Sequence, residues 1–189
     1  MVKLIKIINE LISLLHVQFY LTLLCCGFKY KTVTIMLSKW GGYYGVKLRS
    51  QFYRKTLEEC GDNLKVFHGA YICYSTVSIG NNCTIEEDCV ISNCSIGDDV
   101  IIAAKVSIMS GKNHHDVDIL DKTFYETQSK ILDRVYLKNN IWIGTNAIVM
   151  ANIASGSVVG AGSVVNKNIV DENAIIAGVP AKLIRFRGK

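Results

Sequence analysis

The stretch SIGNNCTIEEDCVISNCSIGDDVIIAAKVSI, residues 78–108, places an aliphatic residue at nearly every sixth position: Ile79, Ile85 and Ile91, then, after one step of five, Ile96, Ile102 and Ile108. An α-helix repeats at 3.6 residues and a strand at 2.0, so neither makes this period. The pattern continues outward in both directions. Val66 and Ile72 precede it. It stops around 110–134 and resumes with Leu137, Ile143 and Val149, then, after a step of four, Ile153, Val159 and Val165. A second position moves with the first. Four residues after the aliphatic stand Cys83, Cys89, Val100, Val106, Ala147, Ser157 and Ser163, and directly after it come Gly80, Gly97, Ala103, Gly144 and Gly160.

A coil with three flat faces meets this pattern. Each face is a short strand, three hexapeptides close one turn, and successive turns stack at about 4.8 Å. Aliphatics then form a continuous core and backbone hydrogen bonds run from turn to turn. The fold class is therefore an all-β solenoid, a parallel β-helix. Cys83, Cys89 and Cys94 become small inward or corner residues, with no metal required.

Domain organisation follows from where the repeat begins and ends. Residues 61–170 form the solenoid, interrupted by an extended loop at about 110–134. Residues 1–60 are expected to be helical and apolar. Within them Leu4, Ile7, Ile8, Leu11, Leu14 and Leu15 lie at helical spacing, so residues 1–28 read as an amphipathic helix. That helix covers one end of the core, packs on a neighbouring subunit or makes peripheral membrane contact. Asn9, Glu10, His16 and Gln18 interrupt the apolar run expected of a membrane span, and no small-residue cleavage site follows it. Residues 171–189 leave the register and are expected to cap the open end and form a tail.

Composition sets the remaining bounds. The chain of 189 residues carries 21 Lys and Arg against 16 Asp and Glu, a formal charge of +5. This excess suits a phosphate-bearing ligand or an anionic surface. It is too diffuse for nucleic acid, because no basic stripe with interleaved aromatics occurs. The seven cysteines are odd in number and include no CxxC pair, which favours free thiols in a reducing, cytoplasmic setting, with membrane association left open.

Three segments in order, Ile141-Trp142-Ile143-Gly144, Val158-Val159-Gly160-Ala161-Gly162-Ser163-Val164-Val165 and Ala177-Gly178-Val179-Pro180-Ala181-Lys182-Leu183-Ile184-Arg185, resemble the hexapeptide-repeat acyltransferases. The resemblance covers about residues 62–187. Within that family the chain looks most like the bacterial polysaccharide and maltose-type O-acetyltransferases. Serine acetyltransferases are more distant, because their long helical N-terminal domain has no counterpart here. The resemblance implies a left-handed coil, a homotrimer and a groove between adjacent prisms that holds acetyl-CoA as co-substrate. It implies no metal and no other cofactor, and a saccharide acceptor.

The interruption after Lys112 begins Asn113-His114-His115-Asp116. In the family a loop leaves the prism here with a catalytic His. A sugar hydroxyl is too weakly acidic to ionise alone, and imidazole is the side chain suited to take its proton. His115 is favoured as the base by its spacing from Gly111, with His114 as the competitor. Asp116 or Asp118 is the candidate to orient the ring. A backbone amide near Gly144 or Thr145 is expected to face the oxyanion. By the same resemblance Trp142, Thr145, Ala161, Asn166, Lys167, Lys182 and Arg185 contact acetyl-CoA.

Three other readings compete. A sugar N-acetyltransferase often carries an N-terminal nucleotide-sugar domain, for which residues 1–60 are short and apolar. A non-catalytic scaffold would lack the His-bearing loop. A zinc hydratase on this fold needs three converging His, and only His16, His68, His114 and His115 exist.

Overall fold

The hexad aliphatics point inward and stack in register. The computed structural model describes residues 2–111, 114–128 and 132–189, and side chains from residue 11 onward among these. Lys112 and Asn113, where the repeat breaks, and the side chains of Leu4, Ile7 and Ile8 lie outside the described residues. Strands of two or three residues, with one of five at the C-terminal end, build three parallel faces. The first face aligns Cys60, Ile79, Ile96 and Leu137 and continues through bridges to Ile153 and Ile169. The second aligns Val66, Ile85, Ile102, Ile143, Val159 and Ile176. The third aligns Ile72, Ile91, Ile108, Val149 and Val165. Apart from the end members Cys60 and Ile169 these side chains are buried. Burying one Ile or Val contributes about 1.5–3 kcal/mol, so the ladders supply the core. The companion positions Cys83, Cys89, Val100, Val106, Ala147, Ser157 and Ser163 are buried too.

The three corners are not alike, and this explains the irregular steps. Between the first and second faces the chain turns through a left-handed residue in every coil: Asn63, Asn82, Asp99, Asn140, Gly156 and Asn173. Between the second and third it does so at Gly69, Asp88, Lys105, Asn146 and Gly162. Asn and Asp tolerate this conformation, and here their side chains also link coils. Asn63 Nδ2 donates to Asn82 Oδ1 at 3.2 Å, and Asn82 Nδ2 donates to Asp99 Oδ1 at 3.1 Å. Among the described residues, the corner between the third and first faces carries only Gly111 in that region. Most departures from the six-residue step fall there, as at Ile91 to Ile96 and Val149 to Ile153; the seven-residue step from Ile169 to Ile176 falls between the first and second faces instead. The long loop leaves from this same corner.

Helices α1 (Val2–Cys25), α2 (Tyr30–Ser38) and α3 (Gly42–Thr56) precede the coil. Strand Glu59–Cys60 already belongs to the first face, so the solenoid starts inside the segment expected to be helical. Helices α2 and α3 cover the first coil. Thr34 Oγ1 donates to Ile72 O at 2.9 Å, and Tyr53 OH accepts from Ile72 N at 3.2 Å. Arg49 is fully buried and donates to the carbonyls of Val66 at 2.8 Å and Trp40 at 2.7 Å, and more weakly to Leu37 and Ser38. The carbonyl-rich end of α2 offers the negative potential that holds this cation.

Helix α1 lies outside α2 and α3 and buries Ser13, Val17 and Tyr20. The Leu11, Leu14 and Leu15 side of its apolar pattern is exposed, so that side does not cover the core within one chain. The cause is an aromatic cluster: Trp40 Nε1 donates to Tyr20 OH at 2.8 Å, and His16 Nδ1 bonds to Tyr44 OH, which turns Val17 and Tyr20 inward. Among the described residues no helix is long and apolar enough to cross a membrane. At the other end, Ala174–Gly178 continues the second face and Ala181–Phe186 folds back antiparallel to it. The C-terminal segment therefore prolongs one face as a hairpin.

Candidate functional site

The long loop folds on itself. His115 and Gln128 form an antiparallel bridge, and Asp116 N donates to Thr127 O at 3.1 Å. The Glu126 carboxylate closes the turn by accepting from Thr123 N and Thr123 Oγ1, both at 2.8 Å. These two bonds hold its pKa below the usual carboxylate value. The root is tied to the coil by Asn93, whose Nδ2 reaches Asp133 O at 3.4 Å, and whose N donates to Ser110 Oγ at 3.0 Å. Arg134 adds an ion pair to Glu58 at 2.8 Å and a bond to Ser78 Oγ at 2.8 Å. Asn93, Ser110 and Arg134 escaped sequence reasoning. The only signal was the five-residue step around Asn93.

His115 is exposed, and its Nδ1 lies 2.7 Å from Phe124 O. A carbonyl only accepts, so Nδ1 carries the proton and Nε2 keeps its lone pair in the neutral ring. The Phe124 ring meets the imidazole edge-on at 5.8 Å. Asp116 does not serve as the orienter in this arrangement: its Oδ1 accepts from Asp118 N at 3.0 Å within its own turn. His114 is half-buried, and its Nε2 is buried without a hydrogen-bond partner among the described residues. Gly144 N donates to Val159 O at 2.8 Å, so this amide is engaged in the coil ladder and is not free to face an oxyanion.

The residues expected to meet acetyl-CoA fall at three places on one prism. Trp142 is a half-exposed outward residue of the second face and shares a groove of about 590 Å³ with Ile101, Val158, Arg185 and Arg187. Arg185 Nη1 donates to Phe186 O at 3.0 Å, and Lys182 is exposed on the same hairpin. Thr145 and Ala161 stack at the corner of the second and third faces, where Gly162 N donates to Thr145 O at 2.8 Å. A β-carbon on Gly144 would sit 2.6 Å from Ala161 N, so only glycine permits this stacking. Asn166 and Lys167 line a separate groove of about 420 Å³ with Gly111 and Asp133 at the loop root.

The family model for bacterial transferase hexapeptide (six repeats) matches residues 76–109. The galactoside O-acetyltransferase of Escherichia coli (strain K12) is 30% identical over 151 residues, covering 74% of this chain and 69% of that protein. The chain belongs to the hexapeptide-repeat acetyltransferases. As a member it is an acetyl-CoA-dependent acyltransferase, and its solenoid is the left-handed β-helix of the family. A putative lipopolysaccharide biosynthesis O-acetyl transferase, WbbJ, of the same E. coli strain is 37% identical over 102 residues, half of each chain. The solved structure of a galactoside acetyltransferase in complex with coenzyme A superposes with a TM-score of 0.71 at 26% identity, covering 82% of this hexapeptide-repeat acetyltransferase and 78% of that chain.

Proposed function

We propose that this acetyltransferase moves the acetyl group of acetyl-CoA to a hydroxyl of a saccharide, a unit of a surface polysaccharide or its precursor, with His115 as general base. The observation that carries the reading is the 2.7 Å bond from His115 Nδ1 to Phe124 O, which leaves Nε2 as the proton acceptor. Nε2 takes the hydroxyl proton while the oxygen attacks the thioester carbonyl. The tetrahedral intermediate then collapses, the C–S bond breaks, and the imidazolium returns the proton to the departing thiolate. The saccharide acceptor is supported by the relatives named galactoside O-acetyltransferase and lipopolysaccharide biosynthesis O-acetyl transferase.

The dispersal of the candidate acetyl-CoA residues supports a site shared between subunits of a homotrimer. Trp142 and Arg185 of one subunit would face Asn166, Lys167 and the loop of the next. Leu120 and Tyr125 on that loop are almost fully exposed in the single chain, as a segment that meets a neighbour requires.

Thiol release from acetyl-CoA across a saccharide panel tests the mechanism. His115→Ala is expected to lower kcat by about 10²–10⁴, and mass spectrometry should detect a base-labile ester. Full activity in His115→Ala together with loss in His114→Ala would transfer the role to His114. Activity in the double variant would remove imidazole catalysis.

A further inference from the structure

The cavity of about 760 Å³ between α3 and the first two coils has no part in the acetyl-transfer chemistry just described. Its volume falls within the roughly 300–1,000 Å³ of small-molecule sites. Tyr43 and Val46 of α3 face Leu64 and Phe67 of the first coil across it, so its walls are apolar. Charge at the cavity is positive. Lys65 stands on its edge and makes no ion pair among the described residues. Lys47 and Arg54 share the wall, Arg54 being held in an ion pair with Asp62 at 2.7 Å, and Glu87 is a further acid of the lining, so Lys65 is the cation that the proposal uses.

We propose that this cavity binds a single apolar chain ending in a phosphate, with the chain against Val46, Leu64 and Phe67 and the phosphate at Lys65. A concave pocket of this size favours one chain over a bilayer surface. An unpaired cation at its edge favours an anionic head over a neutral one. The position is informative as well. Lys65, Thr84, Ile101 and Trp142 are successive in-register outward residues of the second face. At about 4.8 Å per strand the cavity lies roughly 14 Å along the face from Trp142. The inference goes beyond the acetyl-transfer reading and is tested without acetyl-CoA, so its failure leaves that reading intact.

Calorimetric titration of the full chain with farnesyl phosphate, below its micellar concentration, tests it. Saturable binding is expected. Lys65→Glu should weaken it about tenfold or more, as should farnesol in place of the phosphate, by loss of a charge-assisted bond. Val46→Glu should abolish it, with circular dichroism confirming the fold. Leu15→Glu, on the exposed side of α1, should leave it unchanged. Absence of saturable binding overturns the proposal, as does binding indifferent to both Lys65→Glu and Val46→Glu. Equal binding of inorganic phosphate would reduce the cavity to an anion site and overturn the role of the chain. Binding only to anionic phospholipid vesicles, lost in Leu15→Glu, would assign the effect to α1. A Val46→Glu chain that loses its oligomeric state and shows no lipid effect would assign the wall to a second copy.

Discussion

Gly111 and Asp133 meet at the root of the long loop so closely that a β-carbon on Gly111 would lie 2.7 Å from the Asp133 β-carbon. Gly111 also has φ +72, a conformation that other residues adopt at a cost. The point where the chain leaves the prism and the point where it returns are thus locked together. The position of His115 depends on that lock.

Gly111→Ala is therefore expected to move the loop without unfolding the coil. Steady-state kinetics should give a fall in kcat of about tenfold or more, the scale of a misplacement near 1 Å. The thermal midpoint should shift by a few degrees at most, because the ladders of Ile102 and Ile143 are remote from the root.

Phe124 acts on His115 twice, through its carbonyl and through its ring. Phe124→Ala keeps the carbonyl and removes the ring. An edge-to-face contact is worth about 0.5–1.5 kcal/mol. The expected result is a kcat reduced by roughly threefold to tenfold, with the KM for acetyl-CoA unchanged.

The thiols divide by position. Cys25 and Cys26 are exposed, whereas Cys73, Cys83, Cys89 and Cys94 are buried. A thiol-specific chromogenic reagent at neutral pH should label Cys25 and Cys26 first and reach the buried group only on unfolding. Burial pushes the Cys83 and Cys89 thiols up to about 11 and Cys94 to about 12. These groups favour the native state fully below their unfolded pKa, near 9. That stability is lost as pH rises from 9 through 11 to 12, because the unfolded thiols ionise first. Denaturant midpoints measured between pH 8 and 11 should fall over that window, and less steeply in a Cys83→Ala, Cys89→Ala variant.

Arg49 joins the helices to the coil through four carbonyl oxygens. Arg49→Met keeps the apolar stem and removes the donors. The carbonyls of Trp40 and Val66 then lose their partner, and about 2–4 kcal/mol of stability should go with it. Calorimetry should register this as a lower midpoint, with the largest loss of amide protection in α2 and α3.

The architecture was legible in the sequence because a solenoid core is a local property. Each inward residue is set by its place in a hexad, and Ile79, Ile102 and Val159 occupy the ladders that the period assigns to them. The His-bearing loop was legible for the same reason, as a gap in the period. The deviations of one or two residues were visible but without meaning until the corner between the third and first faces was seen to turn differently from the others.

What one-dimensional reading leaves undecided depends on partners distant in the chain. Asp116 is next to His115 in sequence, yet its carboxylate turns to Asp118 N and the orienting oxygen comes from Phe124. The Leu11, Leu14 and Leu15 side of α1 reads as a face that covers the core, a neighbouring subunit or a membrane surface, yet within one chain Tyr20 and Val17 take the inward position because Trp40 and Tyr44 hold them there. Periodicity determines which residues share a face. Only the tertiary structure decides what that face meets, since hydrogen bonds and aromatic contacts between remote elements outweigh the pattern along a single one.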